Sequence, residues 1–145
     1  MQAKESYQEW KEGRQEIRFP KTWQVIKVDD HPFYRQVSGQ GLKSVDFLAL
    51  DPDWGLYFIE LKDYRHRLSP EEKVDLEGVF EEKLEDSKRL IRSIYAMLYK
   101  KWYYRLCLRY QWLYPLVPNR SKVWIEAYAC IKSGRILYLV DVGED

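Results

Sequence analysis

The sequence predicts an α/β fold: one domain over residues 1–145, with a central mixed β-sheet flanked by helices in the order α-β-β-β-α-β plus an extra C-terminal strand. Three observations predict it. Two nearly continuous apolar runs, Ser44–Leu50 and Leu56–Lys62, flank the turn sequence "DPDWG", the pattern of central strands covered on both faces. Leu84, Ile91, Ile94, Leu98 and Trp102 trace the apolar seam of a long helix from Val79 to about Tyr104. The N-terminal segment, about Ala3 to Ile17, is rich in Glu, Gln, Lys and Arg, which are good helix formers.

The first predicted helix carries Tyr7, Trp10 and Ile17 as a thin apolar stripe, with Glu5, Glu9, Glu12 and Glu16 along another face. Pro20 closes it. Thr22–Val28 alternates as a first strand, and "DDHP" breaks it. "SGQG" at Ser38–Gly41 marks a turn before the two apolar strands. The polar segment after Lys62 reads as a loop, and Ser69, Pro70 and Glu72 give a helix-start signature. "YPLVPNRS" reads as a linker. Lys122–Lys132 and Arg135–Val142, joined by Ser133-Gly134, read as a final strand pair.

Composition narrows the function classes. No apolar run approaches the ~20 residues of a membrane span, and the charged N-terminus lacks a signal-peptide core, so a cytoplasmic protein with no membrane partner is expected. The two cysteines, Cys107 and Cys130, lack metal-ligand spacing and read as reduced thiols. His31 and His66 have no second histidine or cysteine at ligand spacing and read as loop residues. Net charge is only +1, but it is unevenly spread. Glu71–Asp86 holds eight acidic residues, whereas Ser87–Ile125 holds nine Lys/Arg, no Asp or Glu, and many Tyr and Trp. Cations interleaved with aromatics suit a polyanion with stackable bases; a solvated helix face is the plainer reading.

The chemistry concentrates on the two apolar strands. If they pair as a hairpin centred on Asp53, Asp46 lies opposite Glu60 and shares its face. Lys62, two residues on, points the same way. Two close carboxylates repel unless a cation lies between them, and Mg²⁺ (or Mn²⁺) suits an oxygen site of this size. A lysine beside such an ion can orient a water and stabilise negative charge. Solvated strand edges are the alternative, but Glu60 between Ile59 and Leu61 in a doubly covered strand makes charge there costly.

Asp46, thirteen residues, then Glu60-Leu61-Lys62, placed on two apolar strands, resembles the PD-(D/E)XK nuclease superfamily, the restriction-endonuclease-like fold. The resemblance spans about Glu5 to Lys132, and its α-β-β-β-α-β core matches the order above. It implies that Asp46 and Glu60 bind the metal, that the Leu61 backbone carbonyl adds a ligand, and that Lys62 activates the water. It also implies a glutamate from the first helix, Glu16 or Glu12. Val45 stands where the family pattern has proline.

The expected function is a metal-dependent nuclease hydrolysing phosphodiester bonds, with DNA as the first-choice substrate. Lys43, Lys88, Arg89 and Arg92 are the candidate nucleic-acid-binding residues. The alternative is a non-catalytic nucleic-acid or protein-binding module on the same fold. The chain is short for an enzyme that also reads a target sequence, which points to a small structure-selective or repair-type nuclease or to a subunit relying on a partner; a homodimer or a partner subunit is the expected assembly.

Overall fold

The computed structural model describes residues 6–37, 42–64 and 69–144; the side chains of 62–64, 73, 74 and 141–144 fall outside that description, as do the expected turn at Ser38–Gly41 and His66. A mixed four-stranded sheet runs in the order β3 (Gln24–Lys27), β4 (Phe47–Asp51), β5 (Gly55–Tyr64) and β6 (Ile136–Glu144). The first three strands form an antiparallel meander, and β6 lies parallel to β5. Side chains alternate across it. Leu48, Leu50, Leu56 and Phe58 face a core built with α1 (Pro32–Val37), α2 (Pro70–Tyr99), α3 (Trp102–Arg109) and α4 (Asn119–Ser133). Phe47, Ala49, Ile59 and Leu61 face the other way.

What covers that second face corrects the sequence reading. Residues expected as an N-terminal helix form a separate antiparallel hairpin, β1 (Tyr7–Glu12) with β2 (Gln15–Pro20), turned at Gly13 with φ 60°. Alternate side chains, Trp10, Ile17 and Phe19, pack onto Phe47 and Ile59. The charges that looked like helix-face neighbours pair across the strands instead: Arg18 with Glu9 at 3.0 Å and Lys11 with Glu16 at 3.6 Å. Helix propensity is a weak prior, and burial of a two-residue apolar period overrides it here.

The C-terminal strand pair is corrected as well. Lys122–Lys132 lies within α4, whose buried residues Val123, Trp124, Ala127 and Cys130 follow a helical period. Gly134 is a helix C-cap at φ 76°, donating its N–H to Cys130 and Ile131 carbonyls, rather than a hairpin turn. The extra C-terminal strand is therefore the fourth strand of the sheet. A parallel β5–β6 pair requires a long crossover, which α2 to α4 provide. The long helix begins earlier than expected, at Pro70 behind a complete Ser69–Glu72 capping box, and stops at Tyr99.

Candidate active site

The β4–β5 turn sets the register. Phe47 pairs with Ile59, Leu48 with Phe58 and Asp51 with Gly55, all centred on Asp53 as the turn chemistry predicts, so the register continued by one residue points Asp46 at Glu60. Asp46 then leaves the ladder. Its Oδ2 accepts the Leu61 N–H at 2.8 Å, while its carbonyl accepts the Val28 N–H at 3.0 Å. Leu61, expected to offer its carbonyl to a metal, thus meets Asp46 through its amide.

The approach to Asp46 is fixed from α2. The Lys43 N–H donates to Asp86 Oδ2 at 3.0 Å and the Val45 N–H to Ser87 Oγ at 2.9 Å. Both acceptors are buried and adjacent on the helix. Val45, in the place of the family's proline, is itself fully buried.

Glu60 is 0% exposed and shares the helix-covered face with Phe58 and Leu56. Its Oε2 accepts from the Lys83 Nζ of α2. Sequence reasoning missed Lys83. The available signal was its position: three residues after Phe80 and four before Ser87, it lies on the buried seam of α2 rather than on the acidic outer face.

Burial pushes the Asp46 carboxyl up to about 6, reinforced by Glu60 and Glu12; the Leu61 N–H and Lys83 oppose the rise. Asp29 is also raised, first by burial and then by Glu12 and Asp30. The Tyr138 hydroxyl on β6 is buried without a hydrogen-bond partner among the described residues, and burial with the charges of Glu60 and Asp46 raises its pKa. Lys83 and Tyr138 are thus coupled electrostatically to both carboxylates, and Asp29 to Glu12 and Lys83 beside them.

Of the two first-element glutamates, the hairpin separates them. Glu12 is half-buried, bonded to Lys27 at 3.1 Å, and close enough to raise Asp46. Glu16 lies on the outer side of β2, paired with Lys11. Lys62 lies in β5 beside Val142 of β6, and its side chain is outside the described residues.

Two of the expected nucleic-acid contacts, Arg89 and Arg92, lie on another face of α2 from Lys83. Counting about 100° per residue, Arg89 and Arg92 lie roughly 120° and 180° around α2 from Lys83, on its exposed face. Arg89 pairs with Asp86 at 3.3 Å and Lys88 with Glu85 at 3.3 Å. Lys43 is exposed at the start of the segment leading to Asp46.

No protein-family model, curated protein or solved structure matches this chain. Function has to be read from the side chains themselves. Among the described residues, no three acidic, histidine or cysteine side chains cluster as a metal site. The candidate donors are Asp46 and Glu60, close enough for Glu60 to raise the Asp46 carboxyl. Mg²⁺ needs only one or two protein carboxylates, since it keeps several waters. The Asp46 carboxyl is raised chiefly by burial, with Glu60 and Glu12 adding to the rise, and a bound cation would offset both. In charge and number two carboxylates suit such an ion, with Lys83 already holding one oxygen of Glu60.

Proposed function

We propose that this protein is a metal-dependent nuclease of the PD-(D/E)XK kind, hydrolysing phosphodiester bonds in nucleic acid, with DNA the first-choice substrate. The observation that carries this reading is that Asp46, next to the Phe47–Ile59 pair, accepts the Leu61 N–H immediately beside the buried Glu60, whose charge helps raise the Asp46 carboxyl. From β3 onward, the order of three antiparallel strands, helices and a parallel fourth strand also suits the family's core.

In this reading Asp46 and Glu60 hold Mg²⁺ or Mn²⁺, which supplies Lewis acidity and charge neutralisation at the scissile phosphate. Asp46 must be ionised to do so, and the Leu61 N–H favours that form. Lys62 orients the attacking water. Lys83 holds the Glu60 carboxylate in place and adds positive charge beside the developing phosphorane.

The test is cleavage of duplex, single-stranded and branched DNA and of RNA with Mg²⁺ or Mn²⁺. Wild type should cut at least one form; Asp46→Ala and Lys62→Ala should not, while keeping their circular dichroism spectra. If no form is cut with either ion, the nuclease reading is wrong.

One observation favours the binding-module reading. The Lys83 ammonium already neutralises one oxygen of Glu60, as a structural ion pair would. Calorimetric titration with Mn²⁺ separates the two: a module shows no heat of binding, whereas the nuclease binds the ion and loses that binding in Asp46→Ala.

A further inference from the structure

A second surface lies at the far end of α2. Tyr128 of α4, Tyr95 and Tyr99 form a ladder of near-parallel rings. Tyr128–Tyr95 centroids are 4.0 Å apart at 12°, and Tyr95–Tyr99 centroids are 5.7 Å apart at 22°. The inner rings are half-buried, but Tyr99 is 45% exposed and Trp102, beginning α3, is 67% exposed. Arg105 donates to the Tyr99 and Lys100 carbonyls at 2.8 and 2.9 Å, which fixes the bend between the helices. Two adjoining grooves share Tyr95, Tyr99 and Arg105; Arg92 and Lys100 line one, and Trp102 and Arg109 the other.

We propose that this surface binds a single strand of nucleic acid, with bases continuing the stack on Tyr99 and Trp102 and phosphates on Arg92, Lys100 and Arg109. Charge decides the occupant. No Asp or Glu occurs from Ser87 to Ile125, and none of these three cations pairs with a carboxylate among the described residues. Every base offers a face to an exposed ring, and a cationic groove follows the backbone. A duplex hides those faces within its own stack, so the geometry selects an unpaired strand. Tyr99 lies sixteen residues beyond Lys83 on α2, roughly 24 Å along the helix axis, so this platform is distinct from the carboxylate site. The inference extends the nuclease reading by naming the strand form engaged, and rests on it only for the link between the two sites.

Binding is measured with a fluorescein-labelled oligo(dT) and its oligo(rU) counterpart by anisotropy, in EDTA, where no metal-dependent cleavage occurs. Wild type should bind, and excess hairpin duplex should compete poorly. Trp102→Ala and Tyr99→Ala should each weaken binding about 10-fold, and Trp102→Phe should restore most of it. Arg109→Ala should lessen the dependence of binding on salt. Because Trp102 is exposed, these variants should melt with wild type. Unchanged affinity in Trp102→Ala and Tyr99→Ala overturns the proposal. So does a Trp102-dependent association with phosphatidylserine vesicles in the absence of oligonucleotide binding. Loss of cleavage with binding intact would instead count against the nuclease reading alone.

Discussion

Asp46 and Leu61 are tied by a 2.8 Å hydrogen bond from the Leu61 amide to the Asp46 carboxylate, across the strands that also carry Glu60. That bond holds the carboxylate where its neighbours oppose its ionisation. Its pKa rises from near 4 to about 6, chiefly through burial. The folded protein thus binds this proton more tightly than the unfolded chain, and the associated stability, fully present below about pH 4, is lost as pH rises through about 6. Asp46→Asn should abolish this dependence and, at pH 7.5, raise stability by about 1–2 kcal/mol after allowance for partial solvent screening. Urea melts of both proteins between pH 4 and 8 check it; parallel pH profiles would contradict the assignment. Adding Mg²⁺ at pH 6 should release protons from wild type and not from Asp46→Asn, which calorimetry in two buffers of different ionisation enthalpy detects.

Lys83 and Glu60 form the buried ion pair of the site, with side chains 17% and 0% exposed. Removing one partner strands the other charge. Lys83→Met should cost about 3–5 kcal/mol. The double variant Lys83→Met/Glu60→Leu should recover most of that loss, because buried Phe58 shares the strand face of Glu60 and buried Phe80 lies one turn before Lys83, so both positions adjoin apolar side chains. A chemical denaturation cycle over the four proteins measures the coupling. Additive losses would mean that the two side chains act independently.

The site's central pair was legible because turn chemistry is local. "DPDWG" fixes the centre of the hairpin, and a period of two then dictates which residues oppose each other. The Ser69–Glu72 cap was legible for the same reason: its partners lie three residues apart. Tyr7–Pro20 was misread because its Glu, Lys and Arg residues suit a helix, and what makes it a hairpin is a distant face of Phe47 and Ile59 that no local pattern displays. Asn119–Ser133 was misread because Ser-Gly is as compatible with a hairpin turn as with a helix C-cap, and only the parallel course of β6 decides. Lys83 escaped notice because its partner is far away in sequence, in β5.

Gly55 marks where β6 meets the hairpin. A Cβ there would strike the carbonyl of Arg135, and the Leu56 N–H donates to that same carbonyl at 2.9 Å. The backbone atoms have no flexible side chain to move aside. Gly55→Ala should therefore destabilise by about 1–3 kcal/mol through displacement of the β5–β6 junction. Thermal denaturation reads the loss, and hydrogen exchange should show it concentrated at the Leu56 amide. Wild-type stability in Gly55→Ala would mean that β6 does not approach β5 this closely.

Ser87 reaches the candidate chemistry through the backbone. Its hydroxyl accepts the buried Val45 N–H at 2.9 Å, immediately before Asp46. Ser87→Ala leaves that amide without its acceptor, at a cost of about 1–3 kcal/mol. Ser121 supplies a matched control: it is equally buried and bonds the Tyr104 hydroxyl at 2.8 Å, away from the carboxylates. Both serine-to-alanine variants should lose comparable stability, measured by urea melts. Only Ser87→Ala should also lower kcat for metal-dependent cleavage, by about 10-fold or more, because a small displacement of Asp46 misplaces what it holds. Equal kcat values in the two variants would show that α2 supports the fold without positioning Asp46.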